Sequence, residues 1–435
     1  MKLEKLILQK KAKIAILGLG YVGLPHAIEI SKRGFFVYGI DIDKNKINLL
    51  KKRKSYIGDV KTEDLKKVLN KKFFPVSSFK VLKDSDIVTI CVPTPLDKHK
   101  VPDLSYIKSA TFEIQKRLKK EMLIVLESTS FPGTTEEVIL PILEKKGLKV
   151  GKDFYLAFAP ERIDPGSSIP LSQIPKVVGG VTKKCTKIAS LFYQQFIEKV
   201  YPVSSPKVAE MTKLLENTYR LINISAVNEL ALLCGKMGID IWEVIEAAKT
   251  KPYGFQPFYP SPKIGGHCIP LDPFYLSWKA KEYNFWTRFI ELAGEINEMM
   301  PHFVVTRVNF ALNRLGKSIK NSKILIWGVA YKKDVPDTRE SAAHDIIWDL
   351  KRKGAKIEYF DPFVKEFEVK NHRLKKPIKL FSIDYKPQIL KKYDCVLILT
   401  DHSGFDYESL AKKANLVVDT RNAIKSRKHK NVIWL

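Results

Sequence analysis

Cysteine is scarce in this chain. There are five in 435 residues, Cys91, Cys185, Cys234, Cys268 and Cys395, and no two form a C-x-x-C pair. An odd count at wide spacing argues against a disulfide framework and against a zinc site, so no metal is expected. No apolar run approaches the roughly 18 residues that a membrane-spanning helix needs, so no membrane partner is expected. The N-terminus, "MKLEKLILQKKAK", passes straight into an apolar strand with no signal-peptide cleavage pattern. A cytoplasmic soluble protein is the expectation. Acidic residues are also few, 47 against 75 Lys+Arg, for a net charge of +28. Such an excess is compatible with nucleic-acid binding. The lysines, however, are spread from "KLEKLILQKKAK" to "KSRKHK", with no zinc-finger or RNP-type motif. No nucleic-acid partner is expected, and an anionic small substrate accounts for the charge equally well. What remains is ordinary globular composition, 45% hydrophobic and 11% aromatic, in a chain long enough for two or three domains.

The strongest local signal is "KIAILGLGYVGLPHAIEISKRGFFVYGIDID". An apolar strand runs into Gly18-x-Gly20-x-x-Gly23, then a helical pattern, then a second strand ending in acid. This is a βαβ unit with the dinucleotide fingerprint in its proper context. Gly18 permits the tight turn, Gly20 lets the backbone approach a pyrophosphate, and Gly23 lets the helix pack on the strand. Tyr21 and Val22 complete the turn, and the pyrophosphate meets the helix N-terminus. Asp41 can accept from a ribose diol and would repel a 2′-phosphate, which favours NAD over NADP. Lys46 also comes within reach of that ribose. Two further strands, "SDIVTICVP" and "MLIVLES", end near Thr94 and Thr129. Ligands collect at strand C-termini in open parallel sheets, so both threonines are candidates to contact the nicotinamide half. Either could equally cap the next helix.

From Ser204 to about Gly235 the apolar residues recur at helical steps, on more than one face. A long helix buried between domains or at a dimer interface is expected. Lys213, Asn217 and Arg220 project from one side of it and form a polar row. That row is either a solvated stripe or a site wall aimed at an anion. Beyond it lies "IGGHCIPLDP". Glycines before the cysteine and prolines after it predict a rigid loop. Cys268 there is either part of a structural turn or an accessible thiol. As a nucleophile it would need nearby positive charge, from Lys213 or His267, with Asp272 acting on a water or holding the lysine. Cys91 and Cys395 sit in strand-like runs and read as buried residues.

The last third repeats the first in weaker form. "SKILIWGVAYKKDVPDTRESAAHDIIWDLKRKGAKIEYFDP" is again strand, turn, helix and strand, with Gly328 the one fingerprint glycine left. Lys332, Lys333 and Arg339 follow its first strand and suit phosphates through side-chain charge. Later strands end at Asp401-His402 and Arg421. The fold expected is α/β: two Rossmann-like doubly wound parallel-sheet domains joined by a central helical domain with a long helix. The expected boundaries are 1–203, 204–315 and 316–435.

Taken in order, "GLGYVGLP", "CVPTPLDKHKVPDLS", "ESTSFPGTTEE", "APERIDPG", "AEMTKLLENTYRLINI", "GGHCIPLDPFYL" and "GVAYKKDVPDTRES" resemble the UDP-glucose/GDP-mannose dehydrogenase family over nearly the whole chain. The resemblance implies an NAD-dependent oxidation of a sugar C6 alcohol to a carboxylate in two hydride transfers. It implies Cys268 as the nucleophile, through a thiohemiacetal and a thioester. It places Lys213 and Asn217 at oxyanion and acid/base positions, Asp272 at the water, and Glu161 and Thr129 in support of hydrolysis. It implies substrate contacts at Glu161, Arg162, Lys213, Asn217, Arg220, Gly265, Lys332 and Arg421, and a cofactor phosphate contact at Arg339. His267 before the cysteine resembles enzymes acting on UDP-N-acetylhexosamines, which implies UDP-N-acetylglucosamine, with UDP-N-acetylmannosamine or UDP-glucose as alternatives. A homodimer or higher homo-oligomer is also implied. Outside the family, a two-electron hydroxyacid-type dehydrogenase shares the Lys-x-x-x-Asn helix and needs no cysteine.

Overall fold

Short runs of aliphatic and β-branched residues set the strands. "KIAIL" at Lys13–Leu17 (β1) is buried on both faces after its first residue, as a central parallel strand must be. The computed structural model describes all residues except Met1, Asp59, Lys98, His99, Pro165, Ser168 and 372–375. The chain divides into two compact units, Met1–Glu216 with Phe274–Trp286, and Asn217–Pro273 with Thr287–Leu435.

The first unit is built on eight strands. After β1 come β2 (Phe36–Ile40), β3 (Phe73–Val76), β4 (Ile87–Ile90), β5 (Leu123–Leu126), β6 (Tyr155–Phe158), β7 (Lys176–Gly180) and β8 (Val200–Val203). Their order is β3-β2-β1-β4-β5-β6-β7-β8. All pairs from β3 to β6 are parallel. β7 then runs antiparallel to β6, and β8 follows β7. The parallel sheet expected from the sequence thus gains a reversed edge. Ile14 and Ile16 enter one apolar cluster while Ala15 and Leu17 enter the other, so both faces are covered. The covering helices include α1 (Gly23–Lys32), α2 (Ser105–Arg117) and α3 (Lys183–Tyr193).

The expected long helix is present as α4, Pro206–Met237, with proline at its first position. Its buried stripe mixes apolar Ala209, Leu214, Leu221 and Ala231 with polar Glu210, Lys213, Asn217, Ser225 and Asn228. Leu215, Tyr219, Leu230 and Leu233 are exposed instead. Further along lie helices α5 (Asp272–Ala280) and α6 (Arg288–Asn313). None of the described helices is long and apolar enough to cross a membrane.

The second unit carries five parallel strands, β9 (Lys323–Trp327), β10 (Lys356–Phe360), β13 (Cys395–Ile398), β14 (Val417–Asp419) and β15 (Val432–Trp434), ordered β10-β9-β13-β14-β15. Helix α7 (Ala342–Arg352) covers one face. An antiparallel pair, β11 (Glu366–Val369) and β12 (Ile378–Phe381), forms its own two-stranded sheet. The repeat seen in the sequence is structural. Gly18, at φ +92°, donates its N–H to Ile40 O at 2.8 Å, and Gly328, at φ +81°, donates to Phe360 O at 2.8 Å.

Gly23 is the tightest of the fingerprint glycines. A Cβ there would lie 1.9 Å from the Gly18 carbonyl oxygen, a backbone atom that no rotamer change can move. Gly23→Ala should therefore cost about 1–3 kcal/mol of stability, seen as a lower urea midpoint. An unchanged midpoint would mean that the turn relaxes freely.

Candidate active site

The turn from β1 into α1 leaves open the space a dinucleotide needs. A Cβ on Gly20 would meet nothing within 4 Å, so its backbone faces open space. Tyr21 and Val22 pack against the unit's core and hold the turn. Asp41 directly follows β2 and is buried. Its carboxylate accepts from Leu19 N and Asp43 N, each at 2.9 Å, and Lys46 Nζ lies 3.3 Å away. A carboxylate has about four acceptor positions, so capacity remains for a hydroxyl. A cavity of about 260 Å³ opens here, lined among others by Gly18, Gly20, Asp41, Lys46, Pro93 and Tyr106. It lies where the strand order departs from β1 in both directions, the crevice at which such sheets bind ligands. The residues fit a nucleotide cofactor on these grounds. Thr94 follows β4, is buried, and its carbonyl accepts from the Tyr275 hydroxyl. Thr129 lies half-buried beyond the end of β5.

The ends of β5 and β6 carry a buried ion cluster. Glu161 Oε1 accepts from Arg162 N at 2.7 Å and Ile163 N at 2.8 Å. Its Oε2 meets Lys176 Nζ at 2.9 Å and His26 Nε2 at 2.6 Å. Glu127 Oε2 meets His26 Nδ1 at 2.8 Å and Lys176 Nζ at 3.3 Å, while its Oε1 accepts from the Tyr193 hydroxyl at 2.6 Å. Burial by itself would raise both carboxyl pKa values. Lys176 and His26 more than offset that, holding Glu161 well below and Glu127 below the usual carboxylate range. His26, Glu127 and Glu161 are close enough to suggest a cation site. The Lys176 ammonium already sits against both carboxylates.

Arg162 is held as well. It makes a two-pronged pair with Glu216, at 3.2 and 2.6 Å, and donates to Pro175 O at 3.1 Å. Glu210, one turn before Lys213 on α4, accepts from Gly133 N (2.6 Å), Thr135 N (2.9 Å) and Thr135 Oγ1 (2.7 Å). It pins the start of α4 to the loop after β5. Lys213 itself is buried.

In the second unit the cysteine loop is anchored on several sides. Lys263 Nζ pairs with Glu298 at 3.0 Å and Asp345 at 2.8 Å. Ile264 N donates to Asn297 Oδ1 at 2.7 Å, and Gly266 N to Arg339 O at 2.9 Å. Gly265 lies flat on the loop after β9: a Cβ there would be 2.6 Å from Tyr331 Cβ. Cys268 then emerges exposed, and its carbonyl accepts from Asp272 N at 2.8 Å. Asp272, buried, accepts from Asn217 Nδ2 at 2.6 Å. Cys91 and Cys395 differ sharply. Both are buried, and burial pushes the Cys91 thiol well up and that of Cys395 to about 12. Of the two alternative sources of positive charge, Lys213 or His267, the second is disfavoured. Burial and the Arg339 guanidinium push its pKa down, so the ring is neutral at neutral pH.

The structure thus brings Cys268, Asp272, Asn217, Gly265 and Arg339 together. Arg339 is paired with Asp337, closest at 2.6 Å. Arg220, further along α4, is exposed. Lys332 and Arg421 lie beyond the C-terminal ends of β9 and β14, where Arg421 Nε lies 3.5 Å from Asp401. Sequence reasoning missed His26, Glu127, Lys176, Tyr193 and Glu210. Glu127 alone left a signal, an acid directly after an apolar strand.

Three family profiles match the chain in succession. They describe the NAD binding domain of the UDP-glucose/GDP-mannose dehydrogenase family over residues 12–197, its central domain over 207–299 and its UDP binding domain over 325–426. UDP-N-acetyl-D-mannosamine dehydrogenase from Methanococcus vannielii is 34% identical, covering 96% of this chain and 94% of its own. UDP-N-acetyl-D-glucosamine 6-dehydrogenase from Pseudomonas aeruginosa is 37% identical, covering 82% and 84%. The solved structure of UDP-D-ManNAc dehydrogenase from Pyrococcus horikoshii superimposes with a TM-score of 0.86 at 32% identity, covering 97% and 98%. The chain belongs to the UDP-glucose/GDP-mannose dehydrogenase family, and it is an NAD-dependent nucleotide-sugar dehydrogenase.

Lys176 is the cation shared by two buried carboxylates, so Lys176→Met should destabilise the protein by about 3–5 kcal/mol at pH 7 in urea unfolding. The two carboxyl pKa values are depressed in the folded state. Their contribution is therefore present above the unfolded value of 4.5 and lost as pH falls through the folded values. The gap between wild type and variant should accordingly narrow below pH 4.5. A constant gap down to acid unfolding would contradict this account.

Proposed function

We propose that this chain oxidises the C6 hydroxyl of UDP-N-acetylglucosamine to the carboxylate, forming UDP-N-acetylglucosaminuronate. NAD⁺ supplies the hydride acceptor for both oxidations. The observation that carries the proposal is Cys268, an exposed thiol on an anchored loop beside the buried Asp272–Asn217 pair. A two-electron alcohol oxidation needs no such thiol. A four-electron oxidation does, because an aldehyde is a poor hydride donor.

In this proposal the Cys268 thiolate adds to the C6 aldehyde to give a thiohemiacetal. Loss of hydride from that carbon leaves a thioester. Water adds to the thioester, the C–S bond breaks, and the acid leaves with the thiol restored. Lys213 and Asn217 are assigned to stabilise the oxyanion at C6 and to move its proton. Asp272 is assigned to the hydrolytic water, with Thr129 positioning it. Glu161 is assigned to assist hydrolysis or proton removal and to contact the substrate, and its bonds from Arg162 N and Ile163 N also shape the loop that begins there. Arg162, Arg220, Gly265, Lys332 and Arg421 are assigned to the UDP-sugar, and Arg339 to cofactor phosphate. The cofactor is assigned to 1–203, the catalytic loop to 204–315 and the UDP-sugar to 316–435.

The gluco sugar is placed first on the resemblance of the motif around His267 and Cys268, with the glucosamine-type relative 37% identical over 82% of this chain and the mannosamine-type one 34% over 96%. The manno epimer is the second reading, favoured by the similarity to the Pyrococcus structure. A homo-oligomer belongs to the proposal and is supported by the exposed apolar side of α4. A cytoplasmic location belongs to it too, supported by five cysteines without a disulfide.

With limiting UDP-N-acetylglucosamine and excess NAD⁺, two NADH should form per sugar. Cys268→Ser should lower acid formation by about 10³-fold or more while NAD⁺ affinity stays unchanged. One NADH per sugar, with an active serine variant, would replace the thioester route with a simple alcohol dehydrogenase. Two NADH only with the manno epimer would retain the chemistry and change the sugar.

A further inference from the structure

We propose that His26 is a positioning residue: a doubly protonated, cationic ring that ties the cofactor-binding helix to the two loops following β5 and β6. Its kinetic consequence rests on the dehydrogenase reading above. Its charge state does not.

His26 lies on the buried face of α1, the helix whose N-terminus follows the Gly18–Gly23 turn. Both ring nitrogens face acid. Nδ1 is 2.8 Å from Glu127 Oε2, and Nε2 is 2.6 Å from Glu161 Oε2. A neutral imidazole carries one N–H and one lone pair. Either tautomer would leave an unprotonated, electronegative nitrogen beside a carboxylate oxygen, which is repulsive. A ring with both protons meets both acids with the right sign.

The charge count agrees. Glu127 and Glu161 are two anions, and Lys176 supplies one cation to both. With His26 charged, the buried cluster is neutral. With His26 neutral, it holds an uncompensated negative charge away from water, which is strongly unfavourable. The other polar neighbours are the Tyr193 hydroxyl, which donates to Glu127, and the Cys91 thiol, which stays protonated because burial raises its pKa. Burial alone would lower the ring's pKa, but the two carboxylates raise it to about 9. Neither ring contact is well aligned with its N–H direction, so charge rather than directional bonding holds the ring.

Each acid carries a loop. Glu161 also accepts from the N–H groups of Arg162 and Ile163. Glu127 precedes Ser128, whose hydroxyl donates to Ile90 O at 3.2 Å and Val92 O at 2.8 Å. Thr129 and Arg162, both assigned to the reaction, follow directly. One ring therefore links the helix beneath the cofactor turn to both loops. Lys176 alone cannot, because it belongs to β7 and makes no tie to α1.

The test begins with ¹⁵N-histidine-labelled wild-type protein. At pH 8, one histidine should show protons on both ring nitrogens, titrate near 9, and vanish from the spectrum of His26→Gln. Because the pKa is raised on folding, the stability gap between wild type and variant should be complete below pH 6.5 and lost as pH rises through about 9. The variant should turn over about 10²-fold more slowly with the UDP-sugar, with little change in KM for NAD⁺. It should also lack the wild type's alkaline limb near 9. A ring that titrates near 6.5, or keeps one proton at pH 8, overturns the proposal. So does a variant with the wild-type pH profile. The spectrum needs no turnover, so a failed oxidation assay would count against the reaction and not against the charge on His26.

Discussion

Parallel strand pairing is the constraint on which the other features depend. Strands paired in parallel send all their C-terminal ends to one edge, and the connections must return on the faces. In the first unit that edge receives Gly18, Asp41, Thr94, Glu127 and Glu161 after β1, β2, β4, β5 and β6. In the second it receives Gly328, Asp361, Asp401 and Arg421 after β9, β10, β13 and β14. Residues far apart in sequence become neighbours because the backbone hydrogen bonds allow one direction. The two edges also share a device. Asp41 accepts from the backbone N–H of Leu19, and Asp361 from those of Val329 and Ala330, so each acid braces the turn after the first strand of its unit.

Against that apolar scaffold the buried charges stand out. Replacing a buried ion cluster by well-packed apolar side chains is often neutral or stabilising. The His26–Glu127–Glu161–Lys176 cluster is thus better understood through geometry than through stability. It fixes the directions in which two strand-end loops leave the sheet, and its partners lie on α1, β7 and α3 as well. Helix α4 likewise buries polar groups, Glu210, Lys213, Asn217, Ser225 and Asn228, beside Leu214 and Leu221, while Leu215, Tyr219, Leu230 and Leu233 are exposed. Glu210 accepts from the loop after β5 and Asn217 donates to Asp272 at the start of α5, so these buried polar groups orient chain segments.

Local patterns made the strands, the fingerprint turn and the long helix legible, because each depends on the spacing of neighbouring residues. Gly18, Gly20 and Gly23 could be assigned separate duties before any coordinates. Cys268 stood out because glycine and proline flank it. The family motifs added roles to residues that periodicity leaves undecided. His26 was invisible for a physical reason. A lone histidine on the apolar face of a helix carries no sign of its partners, and both of them lie more than a hundred residues away. His267 misled for the related reason that charge on histidine depends on burial, which no local pattern reports.

Taken alone, the sequence determined the α/β class, the repeated Rossmann-like halves, the dinucleotide turn and the candidate thiol. These follow from periods of two and of 3.6 residues and from the backbone freedom of glycine. The tertiary structure alone decided the reversed strands β7 and β8, the partners of Glu161, the pairing of Asn217 with Asp272 and the neutrality of His267. Those depend on which distant groups share a low-dielectric interior, where a single neighbouring charge settles whether a proton stays or leaves.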